Sequence, residues 1–212
     1  LGTRTPQAGP RRRGSLLTTP EAPDAARAPL PLLLVLLLAA AFAARLGFCL
    51  LFPQSTPGGG IEDQDNYHEL ALSLRESLSL KDAQGTLSAH REPGYPLLLA
   101  ALYSVFGPRY WALCLLHALL GTASVCLVFL LGKRSFSTAV GLLAAGMAAV
   151  NPQFLYYGAL ARRETLQAFL CLLGAWALLK ACEKPSARAI VCAGAVWAAH
   201  ALTNSAFLPT GL

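Results

Sequence analysis

LPLLLVLLLAAAFAARLGFCLLF, the run from Leu30 to Phe52, decides what kind of protein this is, because 23 almost unbroken apolar residues have no place on a water-soluble domain of this size. At about 1.5 Å per residue such a helix reaches roughly 35 Å, enough to cross a hydrocarbon core of about 30 Å. A cleaved signal peptide would carry a shorter apolar stretch of roughly 7 to 15 residues and a small-residue cleavage site, whereas Phe52-Pro53 follows here directly. The run therefore reads as an uncleaved first span. The rest of the chain agrees: of 212 residues, 55% are apolar and only 13% charged, and the mean hydropathy is +0.49.

Upstream, residues 1–29 hold five prolines, three glycines and the triplet Arg11-Arg12-Arg13, a composition that predicts a disordered basic tail on the cytoplasmic side. Residues 30–212 then form one transmembrane unit, with further spans predicted at about 110–132, 137–157, 164–182 and 188–209. The expected fold is all-α and polytopic, with about five spans. Alternating them from an inside N-terminus puts Lys133, Arg134, Lys180, Lys184 and Arg188 on the cytoplasmic side, the positive-inside pattern. The basic residues are scattered between apolar runs and form no stripe, so the pI near 9.2 signals topology and not nucleic acid. The six cysteines, Cys49, Cys114, Cys126, Cys171, Cys182 and Cys192, lie within or at the edges of apolar runs with no CxxC pair; they read as small hydrophobes, not as disulfides or metal ligands. The chain starts at Leu1 and stops at Leu212 at the end of an apolar segment, which suggests the N-terminal part of a longer protein.

The first external loop, about 53–109, carries the longest polar stretch. Asn66 followed by Glu69 predicts a capping box, after which Tyr67, Leu70, Ala71, Leu74 and Leu78 recur at helical spacing, as in an amphipathic helix on the membrane surface. Pro93 to Phe106 is apolar but too short to span and predicts an interfacial or re-entrant helix, with Tyr95, Tyr103, Tyr110 and Trp111 as aromatic anchors. Glu62, Asp63 and Asp65 put three carboxylates within four positions at this surface. They can serve simply to keep the loop soluble and to favour a helix start; clustered carboxylates also raise one another's pKa, so that one accepts a proton while another holds a hydroxyl or a divalent ion. Arg45 lies inside the first span and must snorkel or face a polar cavity, while His117, His200 and Asn204 read as helix–helix hydrogen-bond partners.

The order Asp63-Gln64-Asp65-Asn66-Tyr67, then Arg91-Glu92-Pro93-Gly94-Tyr95-Pro96 running on through Tyr103 and Phe106-Gly107, resembles the first external loop of the GT-C membrane glycosyltransferases. The likeness continues through Leu130 to Phe136, Asn151-Pro152, Tyr156-Tyr157 and Glu164-Thr165-Leu166, and covers roughly residues 31 to 182. The nearest branch holds protein O-mannosyltransferases, aminoarabinose transferases and the transferases that decorate lipopolysaccharide cores. This resemblance implies transfer of a sugar from a polyprenyl monophosphate carrier to an acceptor hydroxyl on a glycan, lipid or protein at the outer face. Asp63 or Asp65 would be the general base, Asp63 being favoured because Asp65 would be partly occupied at the helix start, and Glu164 matches the acidic residue of the second external loop. Tyr67, His90, Arg91, Tyr95, Arg162 and Arg163 are the candidate substrate-binding residues, the arginines because guanidinium forks match phosphate oxygens. Interfacial snorkelling toward lipid headgroups explains each arginine equally well. No cofactor is required by the resemblance, although a two-carboxylate cluster suits Mg²⁺ or Mn²⁺. Short loops and Ala/Leu-rich helices lean toward a bacterial plasma membrane over the endoplasmic reticulum. The rival reading is a secondary transporter or lipid flippase, which would place its ionisable groups near the midplane on broken helices; a catalytically inactive membrane scaffold is a third.

Overall fold

The computed structural model describes residues 2, 30–53, 61, 63, 65–81, 85–87 and 91–207. Glu62, His90 and almost all of the basic tail lie outside the described residues. Among those described, the chain forms eight α-helices and no β-sheet: α1 (Leu30–Leu51), α2 (Tyr67–Ser77), α3 (Gly94–Phe106), α4 (Tyr110–Ser135), α5 (Thr138–Ala149), α6 (Pro152–Gly158), α7 (Glu164–Glu183) and α8 (Ala187–Thr203).

Three of these, α1, α4 and α7, are long and apolar enough to cross a membrane. The expected span at 137–157 is broken: α5 and α6 meet at a bend of 52°, so that they make a fourth span only if taken as one. Asn151-Pro152 is the cause, because Pro152 cannot donate to the preceding turn while the Asn151 side chain accepts from Gln153 N and Phe154 N and starts the new helix. The expected fifth span, 188–209, is shorter than read, since α8 has 17 residues and stops at Asn204. There the chain turns into a short 3₁₀ segment, with Asn204 Oδ1 accepting from Ala206 N at 3.1 Å and Asn204 Nδ2 donating to Gln167 of α7.

Arg45 is buried, and it does not snorkel. Its guanidinium donates to the carbonyls of Ala41 (3.1 Å), Ala149 (3.2 Å) and Ala148 (3.0 Å), so a cation from α1 caps the C-terminal end of α5 where the bend leaves carbonyls without a helical partner. Gly121 of α4 makes the room: a Cβ there would lie 2.6 Å from Arg45 Nε.

One cysteine reading is corrected. Cys49, near the end of α1, and Cys114, in the first turns of α4, are joined in a disulfide with their Cα atoms 5.8 Å apart. A sequence separation of 65 and the lack of any CxxC pattern hid the pair, which becomes visible only when two antiparallel spans bring their ends together. Close by, Tyr110 donates to Ala159 O at 3.0 Å, and His117 joins Tyr95 Oη (2.9 Å) to Gly158 O (3.0 Å), knitting α3, α4 and α6 at the same end. At the other end Glu183 meets Arg134 and Lys180, so the last turns of α4 and α7 lie side by side.

Candidate active site

The loop helices build a platform on the end that holds the disulfide. Helix α2 packs Tyr67, Leu70 and Ala71 against α3, but Leu78 falls outside the helix, in the left-handed region and 90% exposed, so the apolar stripe is shorter than its spacing suggested. The aromatic anchors are also revised. Tyr95 and Tyr103 are fully buried and engaged by His117 and His68, Tyr110 is committed to backbone carbonyls, and Trp111 alone of the four is exposed, at 42%.

The predicted capping box does not form. Asn66 sits at φ 63° with no side-chain cap, and the helix start is capped instead by Asp63, whose Oδ1 accepts from Tyr67 N at 3.0 Å and Oδ2 from His68 N at 2.6 Å. The sequence places Asp65 at the helix start; in the structure Asp63 holds that place, and Asp65 turns to Arg91 and Arg162. Burial pushes the Asp63 carboxyl up from the ordinary carboxylate range, against the backbone N–H groups of His68, Tyr67 and Glu69 and the neighbouring His68, which pull it down.

Asp65 faces two guanidiniums. Arg91 NH2 lies 2.6 Å from its Oδ1 and Arg162 Nε lies 3.2 Å from its Oδ2, so the loop and the segment before α7 converge on one carboxylate. The Arg91 guanidinium also sits 5.5 Å from the centre of the Tyr67 ring, which in turn meets Tyr95 edge-on at 5.1 Å. Tyr67 thus touches both carboxylate systems, through its N–H to Asp63 and through its ring to Arg91. Tyr67 and Tyr95 are themselves buried and build the floor of the site.

Arg163 takes a different partner, Glu92, a residue that sequence reading left without a role. Glu92 also accepts from Ser205 N at 3.0 Å and Ser205 Oγ at 2.7 Å, and Arg163 reaches Thr203 O, so the pair ties the end of α8 to the loop. Burial acts to raise the Glu92 carboxyl, but the Ser205 hydroxyl and N–H together with Arg163 hold it down at about 2. Gly94 completes this lock: a Cβ there would stand 2.7 Å from Thr203 Oγ1 and 2.8 Å from the Leu202 carbonyl, so α8 can approach only a glycine. Much of the Arg-Glu-Pro-Gly-Tyr-Pro run is therefore spent on assembly, with Glu92 and Gly94 meeting α8 and Tyr95 meeting α4. The clue was Glu92 itself, a charge between an arginine and a proline at a membrane edge.

Glu164 stands apart from these ion pairs. It lines a cavity of about 230 Å³ between α1, α4, α6 and α7, together with Arg45, His117, Gln153 and Tyr157, and its Oε2 is buried with no hydrogen-bond partner. Among the described residues no three His, Cys, Asp or Glu side chains converge as metal ligands.

No curated protein matches the chain. The family model for dolichyl-phosphate-mannose-protein mannosyltransferase matches residues 90–208, which begins at the loop motif and takes in Glu92, Gly94, Arg162, Arg163, Glu164 and all of α3 to α8. With more than half of the sequence matched in this way, and with that segment folded into apolar helices around a charged face, the chain belongs to the dolichyl-phosphate-mannose-protein mannosyltransferase family of membrane glycosyltransferases.

Proposed function

We propose that this protein transfers a sugar from a polyprenyl-phosphate carrier to an acceptor hydroxyl on the non-cytoplasmic face of its membrane, with Asp63 as general base and Arg91 and Arg162 binding the phosphate. The observation that carries this reading is the placement of Asp63: a half-buried carboxylate fixed by the first turn of α2, two residues from an aspartate gripped by two guanidiniums. A raised pKa makes Asp63 a better proton acceptor, and its backbone bonds orient it without using all its lone pairs. The acceptor O–H gives its proton to Asp63 as the oxygen bonds to the anomeric carbon. The bond from that carbon to the phosphate oxygen breaks, and its electron pair leaves with the phosphate. Arg91 and Arg162 stabilise the charge that gathers there, and the leaving group is acidic enough to need no proton.

The face is supported by the disulfide, because Cys49 and Cys114 lie at the same end as the loop and disulfides persist in oxidising compartments. The basic residues at the opposite end support the same orientation. Either a bacterial periplasm or the lumen of the endoplasmic reticulum meets that condition, and the Ala/Leu-rich helices favour the former.

Asp63→Asn in the full chain tests the reading. Turnover should fall by about 10²–10⁴ while membrane insertion and donor binding stay close to wild type, the signature of a lost general base. Normal turnover in that variant would remove Asp63 from the chemistry, and a larger loss in Asp65→Asn would move the base there.

A further inference from the structure

We infer that Asp65 tunes the arginine site to the charge of its ligand, favouring a phosphodiester donor over the phosphomonoester that remains after transfer. The inference rests on the reading of Arg91 and Arg162 as the phosphate site, and goes beyond it by giving Asp65 a distinct function. Asp65 is not needed to start α2, since Asp63 holds Tyr67 N and His68 N. It does not tie α8 to the loop, since Glu92 does that. What it does is place one fixed negative charge between two guanidiniums, one on each of its oxygens.

The site is still open to a ligand. The side chain of Arg91 is 36% exposed and that of Arg162 27%, against 20% for Asp65, so the guanidiniums offer an incoming anion more surface than the carboxylate does. A fixed negative charge at that distance costs any anion some affinity. The cost scales with the ligand's own charge. A sugar joined through phosphate to a lipid is a phosphodiester with one negative charge. When the anomeric carbon–oxygen bond breaks, the electron pair stays on the phosphate, the acceptor proton goes to Asp63, and the carrier becomes a phosphomonoester with a charge near −2 above its second pKa of about 6. Asp65 therefore weakens the spent carrier more than the donor, which speeds exchange of one for the other.

Two probes of equal chain length separate the charges at pH 8: dodecyl methyl phosphate, a monoanionic diester, and dodecyl phosphate, a monoester near −2. Their binding to the full chain in lipid nanodiscs is measured for wild type, Asp65→Asn, Asp65→Glu and Arg91→Ala. Asp65→Asn should tighten the monoester more than the diester, shifting the ratio of the two dissociation constants by roughly three- to tenfold for one unit of charge in a partly exposed site. Asp65→Glu should hold the wild-type ratio, which separates charge from folding. An unchanged ratio in Asp65→Asn, or weaker binding of both probes, would overturn the inference and leave Asp65 as a holder of the arginines. Arg91→Ala should weaken both probes; no change in either would bring down the phosphate reading itself.

Discussion

Both ends of this molecule carry carboxylates gripped by cations, and only one end looks like a site. At the far end Glu183 meets Arg134 and Lys180, whose side chains are 55% and 50% exposed, and Lys180 is only three residues away on the same helix. At the loop end Asp65, Glu92, Arg91, Arg162 and Arg163 come from two loops widely separated in sequence, each about a fifth to a third exposed, above a floor of buried tyrosines. Ion pairs alone mark nothing, since exposed ones contribute little and arise wherever charges crowd a helix end. What distinguishes the loop end is convergence of distant segments, enforced by packing.

If the two ends face different compartments, they can be told apart outright. Leu87→Cys and Ser186→Cys, made with Cys126, Cys171, Cys182 and Cys192 replaced and the Cys49–Cys114 disulfide kept, should divide cleanly with an impermeant thiol reagent on intact cells. Label is expected at position 87 and none at 186; the reverse pattern would turn the protein over and remove the loop from the acceptor's side.

The next largest contrast lies between the arginines. Arg91→Ala should lower kcat/KM for a polyprenyl-phosphate donor by roughly ten- to hundredfold, with Arg91→Lys in between because lysine keeps the charge but loses the fork. Arg134→Ala, at the other end, should leave donor kinetics within about twofold, in keeping with a weak exposed pair. Similar losses at both positions would mean that the loop arginine acts through general membrane association.

Much of this was legible in the sequence, and the gaps have physical causes. Hydropathy and charge alternation locate α1, α4 and α7, because a bilayer imposes its thickness on any helix that crosses it. The bend at Asn151-Pro152 and the early stop of α8 depend on what packs against them, and periodicity does not carry that. Asp63 and Asp65 are the same residue type two positions apart; only their partners, His68 N in one case and Arg162 in the other, tell them apart. The disulfide was invisible for the same reason, since 65 residues separate its halves.

Smaller effects test whether the loop end is assembled as described. Gly94→Ala drives a methyl group against Leu202 and Thr203, and should cost about 1–3 kcal/mol, the usual range for overpacking, read as a lower melting temperature in detergent. Gly146, whose Cβ would meet open space, should tolerate alanine without that loss. The smallest effect is in pH dependence. Glu92 has its folded pKa depressed to about 2, so the stability it contributes is present above the ordinary glutamate pKa of about 4.3 and is lost as pH falls toward 2. Glu92→Gln should flatten that part of the acid denaturation curve. An unchanged curve would mean that the tie between Glu92, Arg163 and Ser205 adds no net stability.

The cap that Arg45 places on α5 has a consequence for biosynthesis. Its partners at Ala148 and Ala149 lie 103 and 104 residues further along the chain, so the ribosome delivers the charge well before it delivers the carbonyls that neutralise it. A guanidinium inside a newly inserted first helix costs about 2.5–3.5 kcal/mol on insertion scales. Until α5 arrives, water, headgroups or the insertion machinery must carry that charge, and the first span becomes comfortable in lipid only after α5 has joined it.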